Sequence, residues 1–176
     1  MLLFTHPAML AHAPPRGHPE HDGRLAAVLE GLAPLDLRRR EAPLADRAAL
    51  LRAHTPSHVE AIEAAFDRAE AGPDGRALAL DADTFVSAGS REAALRAAGA
   101  LIAAVDAVRA DEDDLAFCAV RPPGHHAEPE RAMGFCLFNN VAVGAMAALE
   151  AGAARVAVID FDVHHGNGTQ ALAERE

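Results

Sequence analysis

Asp160, Asp162 and His164 are spaced two apart at the end of an apolar run, Val156–Ile159, in the stretch VAVIDFDVHHGNGTQ (156–170). A strand has a side-chain period of two, so these three are expected on one face at its C-terminal end, with Phe161 and Val163 on the other. A carboxylate and an imidazole at i and i+2, here Asp162 and His164, can reach one ion, and zinc takes N and O donors of this kind. Asp160 stands behind them, placed to orient the donors or to hold a second cation. A lone Asp-x-His is more often a polar strand end facing water. Two features favour a metal instead: Asp160 extends the same face, and His165 makes a His-His pair with His164.

A second group of chemical residues lies in RPPGHHAEPERAMGFCLFNN (121–140). It follows an apolar run, Leu115–Val120, which reads as a strand, so it too leaves a strand's carboxyl end. In open α/β sheets ligands bind there. The tandem His125-His126 titrates near neutral pH and can act as general acid or base. Alone, such a pair reads as two solvated loop histidines; two His-His pairs at neighbouring strand ends favour a shared site. Gly134-Phe135 offers a backbone carbonyl that can approach a ligand closely, beside an apolar wall. Phe135 and Phe138 otherwise read as plain core.

The elements that must position these residues follow from periodicity. Leu2–Thr5 is a short apolar segment expected as an edge strand, and His6 to Asp22, with its histidines and prolines, is expected as loop. Helical spacing recurs over Gly23–Leu32, and Asp36–Ala42 is expected to be extended, its Arg38–Arg40 run a solvated face. Ala45–Ala53 is expected to be helical. Thr55-Pro56 gives an N-cap and a first-turn proline for a helix to about Ala71, ended by Gly72-Pro73-Asp74-Gly75. Arg76–Thr84 is extended or irregular. A helix of about 20 residues from Ser90 has an apolar stripe at Ala94, Leu95, Ala98, Leu101, Ile102, Val105 and Val108. Val141–Glu150 is a helix stopped by Gly152, and Thr169 is expected to cap a last helix from Gln170. Helices alternating with short apolar runs define an α/β fold with a parallel sheet flanked by helices, and nothing divides the chain into two domains.

Composition narrows the class. The 176 residues are 51% hydrophobic, enough for a real core, although aromatics are only 4% and Ala and Leu must fill it. All 16 basic residues are arginine, and the net charge of −10 opposes non-specific nucleic-acid binding. Two cysteines 18 apart form neither a disulfide framework nor a zinc ribbon. Ala11-His12-Ala13 has the look of a signal-peptidase site, but no basic region precedes it and Thr5-His6-Pro7 breaks the apolar run. With no membrane span in view, the expected location is the cytosol.

Together, RPPGHHAEPERAMGFCLFNN and VAVIDFDVHHGNGTQ resemble the zinc-dependent histone deacetylase family. The PPGHHA and HHGNGT forms are similar to its class II and bacterial amidohydrolase branches, including the acetylpolyamine amidohydrolases. Weaker echoes lie at HPEHDGRL (18–25), RAHTPSHVEAI (52–62) and DADTFVSAGS (81–90). The resemblance implies an arginase/deacetylase-like fold and hydrolysis of acetylated lysine or polyamine. Asp162 and His164 match two of three zinc ligands, and Asp160 matches an aspartate that helps hold a structural potassium and bonds the first histidine of the tandem. That histidine is His125, and His126 matches the general base. Asn167 matches the position that supports the second histidine. Gly134 and Phe135 match substrate-tunnel residues, and Asp83 the aspartate that grips the substrate backbone.

The family's third ligand, another aspartate, and its Tyr or His oxyanion donor fall beyond the stretch that matches this chain, which has no Tyr. Residues 1–176 are therefore expected to be the N-terminal part of a single catalytic domain, inactive alone, and able to associate with a second copy through an uncovered strand. Two other readings remain: a manganese metallohydrolase of the related arginase-like fold, against which the PPGHHA loop speaks, and a non-catalytic binding module.

Overall fold

The computed structural model describes residues 1–72 and 76–175. The elements run β1 (Leu2–Thr5), α1 (Asp22–Gly31), β2 (Arg38–Glu41), α2 (Arg47–Leu51), α3 (Pro56–Ala71), the two-residue strands β3 (Leu78–Ala79) and β4 (Phe85–Val86), α4 (Ser90–Arg109), β5 (Ala116–Cys118), α5 (Asn140–Glu150) and α6 (Asn167–Ala173). A 3-10 turn at Pro7–Ala11 interrupts the expected N-terminal loop. Of the expected stop after α3, Pro73-Asp74-Gly75 lies outside the described residues.

β1 is the middle strand of a parallel sheet ordered β2-β1-β5, not an edge. The reason lies in its composition: Leu2, Leu3 and Phe4 are apolar on both faces, and all three are buried. β2 and β5 are the edges, and all four residues of β2 are exposed. Its arginines are met by the acidic turn before β5, Arg38 by Asp113 at 2.6 Å and Arg40 by Glu112 at 2.8 Å. A charged edge of this kind resists pairing with another chain. β3 and β4 form a separate antiparallel pair.

α4 lies between two apolar clusters. Ala93, Ala100, Ala104 and Ala107 pack with β1 residues Leu2, Leu3 and Phe4, while Ala94 and Ala98 join Phe66, Leu137, Phe138 and Val143. Alanine on both sides lets the helix approach sheet and neighbouring helices closely, which offsets the shortage of aromatics. The Thr55 hydroxyl accepts the His58 N–H and caps α3 as expected. The Asn139 side chain caps α5. Thr169 does not cap α6: it lies inside that helix, and its hydroxyl accepts from Asn139 Nδ2 at 3.1 Å.

The largest departure is at Val156–Ile159, which joins no sheet. Ile159, Phe161 and Val163 are 88%, 97% and 92% exposed. A ladder needs a neighbour within about 4.9 Å, and here an apolar cavity of about 800 Å³ separates the segment from β5. Its walls include Leu101, Phe117, Cys118, Val158, Ile159 and Phe161. The aspartates supply a local alternative to pairing. Asp160 Oδ1 accepts the Asp162 N–H at 3.1 Å and Asp162 Oδ1 accepts the His164 N–H at 2.8 Å, a run of Asx turns. Among the described residues no helix is long and apolar enough to cross a membrane.

Three histidines, His12, His54 and His58, are buried. Burial pulls His12 and His54 down to about 4 and lowers His58. The folded state therefore disfavours their protonated forms, and their contribution is intact above the ordinary histidine value and lost as pH falls through it toward 4. Between about pH 7.5 and about pH 5, urea unfolding should show a loss of about 2 kcal/mol for each of His12 and His54. A second expectation concerns the exposed 156–163 segment. The 176-residue chain should self-associate on a sizing column, and charged substitutions at Ile159 and Phe161 should restore a monomer.

Candidate active site

The histidine tandem is held from several directions. His125 and His126 lie in the loop after β5, their ring centroids 4.0 Å apart. Thr169 N–H, in the first turn of α6, donates to the His125 carbonyl at 3.1 Å. His125 Nδ1 lies 2.9 Å from Asp160 Oδ2, and His126 Nδ1 lies 2.7 Å from Asn167 Oδ1. A carboxylate and an amide oxygen can only accept, so each Nδ1 carries the proton. In the neutral ring Nε2 is then left as the basic nitrogen on both histidines. This is the state a general base requires.

Asp162 and His164 sit beside the tandem. The His164 ring is T-shaped to His126, centroids 6.0 Å apart, and its Nδ1 lies 3.0 Å from Asp162 Oδ1. The His125 N–H holds the Asp160 carboxyl below the usual carboxylate range. Asp162 is lowered too, first by the His164 backbone N–H and then by its ring. Both aspartates are therefore anionic donors at neutral pH. The pair fits zinc in kind, a carboxylate oxygen and an imidazole nitrogen side by side. It does not complete a site: among the described residues no group of three or more His, Cys, Asp or Glu is placed to hold a metal ion.

His165 does not join its neighbour. It lines a separate cavity of about 420 Å³ with Met146, Leu149 and Leu172, so the second His-His pair of the sequence is not a spatial pair facing one site.

The remaining sequence candidates meet at a rim. Asp83 is exposed in the turn between β3 and β4, and its Oδ1 accepts from the Thr84 hydroxyl at 3.0 Å. That hydroxyl in turn accepts the Phe135 N–H at 3.1 Å, tying the Asp83 turn to Gly134-Phe135. His18 adds its ring edge to Phe135, centroids 4.7 Å apart, and its Nε2 donates to the Asp83 carbonyl at 3.0 Å. The Gly134 carbonyl expected to face a ligand instead accepts from the Cys136 thiol. Glycine is needed there for another reason. Its φ is +56°, and a Cβ would stand 2.6 Å from His126 Cγ, so only a bare backbone lets the His126 ring pack against it.

Sequence reasoning missed three contributors. Glu20 and Arg121, 1% and 2% exposed, form a two-pronged ion pair at 2.7 and 2.8 Å just before the tandem. Glu128 accepts from Asn167 Nδ2 at 2.8 Å. A glutamate inside each of the motifs HPE and HHAE was the available signal, because a carboxylate drawn into a buried loop needs a partner. Cys118 and Cys136 are excluded as nucleophiles, since burial pushes both thiols up to about 12.

A parallel sheet with helices on its faces, with the oriented histidines in the loop after β5 and the carboxylate–imidazole pair beside them, defines an α/β protein whose polar groups gather at one end of the sheet. The histone deacetylase domain model matches residues 18–176, and the chain belongs to the histone deacetylase family. It is 46% identical over 172 residues to the histone deacetylase-like amidohydrolase of Pseudomonas aeruginosa, covering 96% of this chain and 42% of that protein. It is 40% identical over 164 residues to a probable deacetylase of Methanothermobacter thermautotrophicus, covering 91% of this chain and 46% of that one. The crystal structure of the HDA15 HD domain superposes with a TM-score of 0.90 at 35% identity, over 98% of this chain and 50% of that chain. The chain thus spans about half the length of the relatives it matches.

Gly134→Ala tests the packing of the His126 ring. It should cost about 1–3 kcal/mol, from strain at positive φ and the clash with His126. Chemical unfolding measures it, and a cost within a few tenths of a kcal/mol would mean that the backbone yields there freely.

Proposed function

We propose that residues 1–176 are the N-terminal part of a single deacetylase domain that hydrolyses an acetylated amine, an acetyl-lysine or acetylpolyamine, to acetate and the free amine. The observation that carries this reading is the pair of imidazoles whose Nδ1 protons are fixed by Asp160 and Asn167, beside Asp162 and His164. Asp162 and His164 would hold zinc, with Asp160 supporting them or holding potassium. When bound, zinc supplies Lewis-acid polarisation of the amide carbonyl and a more acidic water.

The chain's own residues do the proton work. His126 Nε2 accepts the proton of the attacking water, and the His126–Asn167 bond holds the ring in the tautomer that can take it. The histidine pair returns the proton to the leaving amine nitrogen as the C–N bond breaks. Asp160 steadies His125 as charge builds on the pair. At the rim, the exposed Asp83 carboxylate accepts substrate backbone N–H groups, and Phe135 with His18 forms a narrow aromatic wall for an extended acyl-lysine or polyamine arm. The net charge of −10 favours cationic amines and disfavours nucleic acid. A third metal donor and an oxyanion donor would come from outside these residues, so the 176-residue chain alone should bind zinc weakly and not turn over.

Two measurements test the reading. His126→Ala in the zinc-loaded full-length enzyme should keep its metal and lose roughly 10²–10⁴-fold in turnover of an acetyl-lysine substrate; near-normal turnover would remove His126 from the role. Asp162→Ala or His164→Ala should lose zinc on dialysis, whereas Asp160→Ala should weaken binding by about 10–100-fold. Full zinc retention in both ligand variants, with no deacetylation by the parent, would favour the non-catalytic module.

A further inference from the structure

We propose that Glu128 is a positioning residue that selects the tautomer of His126 by fixing which way the Asn167 amide points. The proposal rests on the reading of His126 as the base but makes a physical claim that stands apart from it.

An asparagine amide has two ends of similar shape and opposite hydrogen-bonding sense, and rotation by half a turn exchanges them. With Oδ1 toward His126 the ring must carry its proton on Nδ1. With Nδ2 there instead, Nδ1 must be a lone pair, and the neutral ring puts its proton on Nε2, where it cannot accept another. Something must decide between the two. Asn167 Nδ2 lies 2.8 Å from Glu128 Oε1, and an ionised carboxylate has no proton to give. Only the NH2 end can face it; the other rotamer would set oxygen against oxygen. Met133 Sδ, 3.4 Å from the same Nδ2, is also an acceptor and votes the same way. The amide oxygen is therefore driven toward His126 Nδ1, at 2.7 Å.

The position of Glu128 is itself fixed from the far side of the loop. Its N–H donates to the Arg131 carbonyl at 2.9 Å, and its carbonyl accepts from His54 Nδ1 at 3.0 Å. His54 Nε2 accepts the Asn139 N–H at 2.9 Å, so its own proton must be on Nδ1, as the bond to Glu128 requires. His54 is 3% exposed and stacks on His58, centroids 4.6 Å apart. A buried, neutral histidine beside the start of α3 thus anchors the glutamate, which orients the asparagine, which sets the base.

Isosteric variants keep the volume of each site while changing the sense of the bonds. Glu128→Gln presents either an acceptor or a donor, so Asn167 is free to rotate. Adding Asn167→Asp to Glu128→Gln gives residue 167 two oxygens, which can only accept, with the glutamine as donor. The ring-nitrogen 15N shifts of His126 in the 15N-histidine-labelled 176-residue chain, without metal and about two pH units above the histidine range, report the tautomer directly. The wild-type ring should be protonated on Nδ1. E128Q should shift a substantial fraction to Nε2–H, and the double variant should return it to Nδ1–H. An unchanged tautomer in E128Q, or no return in the double variant, would overturn the proposal. In the zinc-loaded full-length enzyme the same pair should lower and then restore kcat, by roughly 10-fold or more with KM retained. Absence of deacetylation in the parent would count against the proposed function and leave the tautomer result intact.

Discussion

Arg121 carries a full positive charge to a position only 2% exposed, and the geometry of the site depends on how that charge is met. Its Nε and Nη2 fork onto the two oxygens of Glu20 at 2.8 and 2.7 Å, and Nη1 donates to the Met9 carbonyl at 2.7 Å. A buried charge is tolerated only when it is paired and its donors are used. Glu20 comes from the N-terminal segment and Arg121 from the residue that opens the histidine loop, so the pair joins stretches about a hundred positions apart. His12 extends the network, its Nε2 3.5 Å from Glu20 and its Nδ1 2.7 Å from the Ser90 hydroxyl at the start of α4. Sheet end, N-terminal segment and α4 are thereby locked together where the loop begins.

From that anchor the loop runs through a set of bonds whose donors and acceptors agree at every step. Asp160 and Asn167 fix the protons of His125 and His126. Glu128 fixes Asn167, and buried His54 fixes Glu128. Polar networks in low dielectric are costly when one member is left over and rigid when all are satisfied. This one is satisfied, and its rigidity is what general acid–base chemistry needs from a pair of rings that must not tumble.

Asp162, His164 and the run before them are less restrained. The side chains of Asp162 and His164 are 48% and 72% exposed, and Val163 between them is almost wholly in solvent. The apolar alternation is that of a strand, yet Val156–Ile159 pairs with no strand among the described residues, and the cavity beside β5 runs along it. The histidine pair is held by satisfied polar bonds, whereas Asp162 and His164 follow an unpaired segment and are held by Asx turns.

The sequence by itself determined which residues could do the chemistry, because spacing and type are local properties. The i, i+2 acids with His164 and the His125-His126 tandem stood out by spacing and type, whereas the glycine before Phe135, read for its carbonyl, serves in the structure to admit the His126 ring. Also legible were α3, with its Thr55 cap, and the 20-residue α4, where capping chemistry and helical period act within one segment. Only the tertiary structure decided what depends on partners far along the chain. It placed Leu2–Thr5 in the middle of the sheet, turned His165 away from His164, and left 156–159 unpaired, because a ladder is made by two segments and periodicity describes one. It also brought Glu128 to Asn167 and Glu20 to Arg121, pairings across 39 and 101 positions. No local pattern encodes such contacts; each exists because burial forces a charge or an amide to find the one group that answers it.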